Sequence, residues 1–289
     1  MEVNPVNECP VPKGILLAIG GHENKGEAPE KKQQKENPNR LEVLRVFTEL
    51  ISDERSVLEV ITSGSSMGAE SFEDYRKVFN ELGIENIGHI HHDKRKDVGA
   101  DETLLERVRK ASAIFISGGD QLKLTSIYGG TDFLFELKQR YIKDPIVIAG
   151  TSAGAMALST PMIYAGNEEV QEMAGEIKVT TGLEFLKDVC IDTHFVDRNR
   201  FVRMAQVVVT NPTCIGVGIS EDTAMIIRNG RDVEITGSGI VVVMDGSNVL
   251  DSSILDLSGE EPFGVQNLKV HLLTRRDRYC IVQNNPPHI

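Results

Sequence analysis

Cysteine is scarce in this chain, and the four that occur (Cys9, Cys190, Cys214 and Cys280) are far apart, with no CxxC pair. That scatter excludes a cysteine-built metal site and a small disulfide scaffold, and it leaves reduced thiols as the expectation. Long hydrophobic runs are missing too. The longest early one is Ile15–Ile19, against about 18 apolar residues needed to span a bilayer. The opening MEVNPVNECPVPKG has acids and prolines where a secretory signal would carry a basic segment and an apolar core. These absences make the cytoplasm the expected compartment. Basic surface is equally short: the net charge is −12, which argues against nucleic acid as the main partner and suits a substrate rich in guanidinium groups.

What is present alternates. Gly14–Ile19 reads as a buried strand, Arg40–Ile51 as an amphipathic helix, and Ser56–Thr62 as a second strand. A helix through Phe72, Tyr75, Phe79 and Leu82 follows, then strand Ile87–His91, a helix around Leu104–Val108, strand Ala113–Ser117, helix Asp132–Tyr141 and strand Ile146–Ala149. Strand and helix in turn predict a mostly parallel sheet covered on both faces, with the site at the carboxyl ends of its strands. Beyond about residue 187 short strands dominate (Val189–Asp192, Ile215–Ile219, Ala224–Ile227, Ile240–Met244) with one helix, Arg200–Val209. No linker or repeat intervenes, so residues 1–289 are expected to be a single domain with extra antiparallel C-terminal strands. Residues 1–12 and the charged stretch 22–39 are expected to be mobile.

The sharpest local signal is IVIAGTSAGAMAL. A buried strand runs into Gly150-Thr151-Ser152-Ala153-Gly154 and then into a helix of small residues. A G-x-S-x-G string in a strand–turn–helix context presents a serine nucleophile on a strained turn that tolerates only small neighbours. A serine hydroxyl needs a neighbouring base. Of seven histidines, His22 falls in the polar loop, His91 and His92 in a charged segment, His288 at the terminus, and His89 and His271 beside strands. His194 stands out, following the strand Val189–Asp192 within IDTHFVDRNRFVR, where Arg198, Arg200 and Arg203 form a cluster suited to carboxylates. The orienting acid is left open among Asp192, Asp197, Glu221 and Asp222. Gly119 and Ala153 are the candidate oxyanion donors, with Gly118 behind them, because Ala113–Ser117 ends in Gly118-Gly119-Asp120-Gln121. Gly20-Gly21-His22-Glu23-Asn24-Lys25 lacks the spacing of a phosphate-binding loop.

In order along the chain, Gly20-Gly21, Ile61–Ser65, Gly118–Gln121, Gly150–Ala155, Asp192–Arg203 and Gly216–Ala224 resemble the serine peptidase family of cyanophycinase, which also contains the aspartyl dipeptidase peptidase E. The resemblance covers roughly Lys13 to Gly246. It implies a three-layer α/β/α sandwich, flavodoxin-like or class I glutamine amidotransferase-like, commonly homodimeric. It implies Ser152 as nucleophile, His194 as base and Glu221 as acid, and it places Gln121, Asp192, Thr193, Arg198, Arg200 and Arg203 at the substrate. It also implies hydrolysis of cyanophycin, a polyaspartate with arginine on each β-carboxyl, to β-Asp-Arg dipeptides without metal or cofactor. Two positions depart from the family pattern: Thr193 stands where Gln is usual before the histidine, and Ser220 where an acid is usual before the glutamate. The rival readings are a dipeptidase for short aspartyl peptides and a non-catalytic polymer-binding homologue.

Overall fold

The computed structural model describes residues 10–23, 25, 41–51, 55–166, 177–255 and 262–281. Most of the leader and loop expected to be mobile, together with Cys9 and His288, lies outside these residues.

The first half builds one sheet. Strands β1 (Ile15–Ile19), β2 (Val57–Ile61), β3 (Asn86–Ile90), β4 (Ala113–Ile116) and β5 (Val147–Thr151) run parallel in the order β1-β5-β4-β2-β3. Helices α1 (Glu42–Ile51), α2 (Gly68–Glu81), α3 (Arg95–Ala100), α4 (Leu104–Lys110), α5 (Gln121–Tyr128) and α6 (Asp132–Lys143) connect them. The two-residue period of a strand decides which face each side chain joins. Leu17 and Ile19 of β1 pack with Leu44 and Phe47 of α1 and Phe79 of α2. Leu16 and Ala18 face the opposite core, with Val108, Leu124 and Leu137 from α4, α5 and α6. That is the expected covering on both faces, at strand ends within one or two residues of those read from the sequence.

The second half supplies the expected extra C-terminal strands and divides them between two sheets. Thr223–Arg228, Asp232–Gly237 and Arg278–Cys280 extend the first sheet, antiparallel, beside β1, giving eight strands. Five other segments plus one end strand make a separate six-stranded sheet, in the order Lys269–Leu273, Val241–Asp245, Ile215–Ile219, Val189–Thr193, Ser159–Thr160, Leu186–Lys187. The short helix α7 (Ala153–Ala157) packs on both β5 and Val189–Thr193. Its Ala155 and Met156 join one continuous core with Ile148 of the first sheet and Ile191, Val217 and Val243 of the second. Helix α8 (Phe201–Thr210) buries Met204 and Val208 against Gly216, where the missing side chain leaves room for them.

Candidate active site

Strand β5 lies between β1 and β4 in the middle of the large sheet and ends in the turn that carries Ser152. Ser152 has φ 51° and ψ −119°, a backbone region that costs a non-glycine residue on the order of 1–3 kcal/mol. The strain is held in place from both sides. The Ser152 N–H donates to the Ile19 carbonyl at 3.0 Å, and its own carbonyl accepts from Met156 N–H at 3.0 Å. Gly154 sits where a Cβ would stand 2.2 Å from the Ile116 carbonyl oxygen, so the helix can follow the serine this tightly only with glycine there.

His194 meets the serine from the other sheet. Its Nε2 is 2.9 Å from Ser152 Oγ and its Nδ1 is 2.6 Å from Glu221 Oε1. Val189–Thr193 and Ile215–Ile219 are parallel neighbours with Thr193 opposite Ile219, so the residues just past both ends, His194 and Glu221, emerge side by side. The carboxylate can only accept, so Nδ1 carries the proton and the Nε2 lone pair faces the hydroxyl. The histidine's seat is the turn after β1. His194 N–H donates to the Gly20 carbonyl at 2.9 Å, and Asp222 N–H to the Gly21 carbonyl at 3.0 Å. A Cβ on Gly21, whose φ is +93°, would lie 2.5 Å from the imidazole. Burial lowers the His194 pKa below its usual value; the hydrogen bond to Glu221 opposes this, and the Arg198 charge adds to the lowering.

The loop after β4 closes the other side. A side chain on Gly118 would begin 3.3 Å from Ser152 Cβ, and Gly119 follows with φ +133°. Asp120 N–H donates to the Gly64 carbonyl at 3.0 Å, which pins this loop to the one after β2. The Asp120 side chain caps α5 through Leu122 and Lys123 N–H, so the glycine turn does lead directly into a helix. Ala153 N–H sits at the first helical position after Ser152.

The candidate substrate residues divide into two groups. Arg198 is exposed beside the triad, and Gln121 is partly exposed with its amide donating to the Ile163 carbonyl at 3.0 Å. Asp192, Arg200 and Arg203 instead bind one another. Asp192 is wholly buried and accepts from Arg200 Nη1 at 2.8 Å and from Arg203 Nε and Nη2 at 2.7 and 2.6 Å. Arg200 Nη1 also reaches the Thr193 carbonyl at 2.8 Å. The expectation that these two arginines grip substrate carboxylates while Asp192 receives a guanidinium does not match this geometry, because their charges are spent internally beneath the site. Thr193 is buried as well, and its hydroxyl has no hydrogen-bond partner among the described residues.

Sequence reasoning passed over the residues just after β1. Glu23 is buried and accepts from Thr151 Oγ1 at 2.6 Å and from the Tyr75 hydroxyl, so it grips the residue immediately before Ser152. His22, outside the Ser152–His194–Glu221 relay, stands edge-on to His194 with ring centroids 5.1 Å apart. A polar, charged stretch carries no periodicity, and the only signal that could have marked it was the pair Gly20-Gly21 directly ahead.

The profile of peptidase family S51 matches residues 32–235 of the chain. The cyanophycinase of Synechococcus elongatus is 29% identical over 276 residues, covering 96% of this chain and 82% of that protein. The cyanophycinase of Geminocystis herdmanii is 29% identical over 268 residues, covering 92% and 93%. Among solved structures, a peptidase from an acI-B1 Actinobacterium superposes with a TM-score of 0.61 at 22% identity, over 93% of this chain and 97% of that one, a likeness of fold.

Proposed function

The chain belongs to peptidase family S51 and is a serine-type peptidase, and from that premise we propose that it is a cyanophycinase acting through an acyl-enzyme on Ser152. The observation that carries the proposal is the unbroken relay Ser152 Oγ–His194 Nε2–Nδ1–Glu221 Oε1, at 2.9 and 2.6 Å. Neutral His194 takes the Ser152 proton as Oγ attacks a backbone carbonyl, and Glu221 steadies the imidazolium that results. The N–H groups of Gly119 and Ala153 receive the developing oxyanion. His194 then protonates the leaving amine, and water repeats the sequence to free the acyl group.

Similarity to cyanophycinases along more than nine-tenths of the chain supports cyanophycin as substrate and the β-Asp-Arg dipeptide as product. In this reading Arg198 holds a substrate carboxylate, Gln121 contacts the substrate, and the Asp192–Arg200–Arg203 cluster fixes the strand that delivers His194. A cytoplasmic homodimer belongs to the same proposal. Among the described residues no helix is long and apolar enough to cross a membrane. Incubation with purified cyanophycin, followed by mass identification of products, tests the reading. Release of β-Asp-Arg supports it. Cleavage of Asp-X dipeptides alone would replace it with the dipeptidase reading.

A further inference from the structure

We propose that His22, His194 and Glu221 form a binding site for a divalent transition-metal ion of the zinc type, and that occupancy of this site switches the triad off. The inference rests on His194 being the general base. A ring nitrogen from each histidine and a carboxylate oxygen of Glu221 lie within 4.8 Å of one another. Two imidazoles and a carboxylate are a donor set suited to Zn²⁺, whose fourth position can stay open to water.

The spacing is close to what the ion needs. Tetrahedral bonds of about 2.0–2.1 Å set ligand atoms about 3.3 Å apart. His22 Nε2 is 3.8 Å from Glu221 Oε1, and His194 Nδ1 is 2.6 Å from the same oxygen. Rotation of the Glu221 carboxylate towards His22 evens these two, and the exposed His22 ring swings inward to bring its nitrogen, now within 4.8 Å of the His194 nitrogen, to the spacing the ion needs. Access is open, since the His22 side chain is 70% exposed and that of Glu221 32%. The Arg198 charge nearby opposes a cation, which makes this a reversible site of modest affinity.

The consequence for the reaction follows from the ring's one proton. In the working enzyme that proton sits on Nδ1, facing Glu221, and the Nε2 lone pair accepts from Ser152. A metal ion takes the Nδ1 lone pair, so the ring's proton moves to Nε2 with no net release. Nε2–H then donates to Ser152 Oγ and cannot receive from it. The serine keeps its proton, and attack stops. Chelation of the metal reverses each step.

The test uses the full-length protein stripped with EDTA and titrated with zinc chloride. Wild type loses turnover of cyanophycin as zinc rises and regains it with added EDTA. His22→Ala, which turns over normally without metal, raises the half-inhibiting zinc concentration by about tenfold or more, at least what loss of a metal-site partner costs. An unchanged inhibition curve in that variant overturns the proposal. A second arm does not depend on turnover. Cobalt(II) added to wild type or to Ser152→Ala gives the intense visible bands of a tetrahedral ion, and His22→Ala removes them; bands that persist in His22→Ala overturn the site. If the metal-free protein leaves cyanophycin intact, the functional reading fails, while the cobalt spectra still decide whether the site exists.

Discussion

Ser152 occupies a backbone conformation at φ 51° that only its surroundings sustain, and a residue held so is expected to matter more for rate than for folding. Ser152→Ala should lower kcat by about 10⁶-fold, and Glu221→Gln by about 10⁴-fold, magnitudes set by comparable serine triads. Both variants should melt close to wild type. The acid limb of kcat/KM reports the free base. Burial lowers the His194 pKa from 6.5, so this limb should have its midpoint below 6.5, with activity falling as pH drops through that value. Arg198 adds to the lowering. Arg198→Gln should therefore move the limb to higher pH, measured as kcat/KM from pH 5 to 8, and a limb that stays put would show that the guanidinium does not face the imidazole. At this scale the places of Ser152 and His194, whose side chains meet at 2.9 Å, were legible because each follows a recognisable strand. Asp192, Arg200 and Arg203 were misplaced because spacing shows that charges cluster but not whether they face outward or each other.

Among the elements, the β5–α7 elbow was readable because a buried strand, a glycine pair and a run of small residues leave the backbone one arrangement. The second sheet was not. Val189–Thr193 and Ile215–Ile219 have the same apolar character as β1 and β5, and strand propensity does not say which sheet a strand joins. Buried charge tells the elements apart better. Glu59, within β2, is nearly enclosed and takes a two-pronged hydrogen bond from Arg107 of α4, whose guanidinium this contact holds above its usual pKa. Arg107→Met should cost about 3 kcal/mol, the lower end for breaking a buried pair because Arg107 keeps some solvent contact. Urea unfolding checks this, with Glu59→Gln/Arg107→Met expected to recover part of the loss. Asp192→Asn weakens a pair of ion contacts that is more deeply enclosed, so it should destabilise at least as much and lower kcat as well by loosening the strand that ends at His194.

At the scale of the whole molecule, the core runs without a break from β5 through α7 into the second sheet. We therefore propose that the chain folds as one unit: circular dichroism and calorimetry should report a single coincident transition, and two resolved transitions would divide it. The alternation of strand and helix through residue 151 was enough to read the large sheet's parallel half, because each crossover repeats the same period. The shared core was out of reach, since contacts between distant segments leave no periodic trace.

Ser152 belongs to one sheet, whereas His194 and Glu221 leave neighbouring strands of the other. The turn after β1 bridges the two, holding Ser152 through Ile19 and His194 through Gly20, so loosening that turn would part donor from acceptor without separating the imidazole from its acid. A misplacement of about 1 Å can cost on the order of a hundredfold in rate. Gentle heating should thus stall the peptidase reversibly several degrees before its secondary structure gives way, as a lock stops turning when its two halves fall out of line though neither has broken.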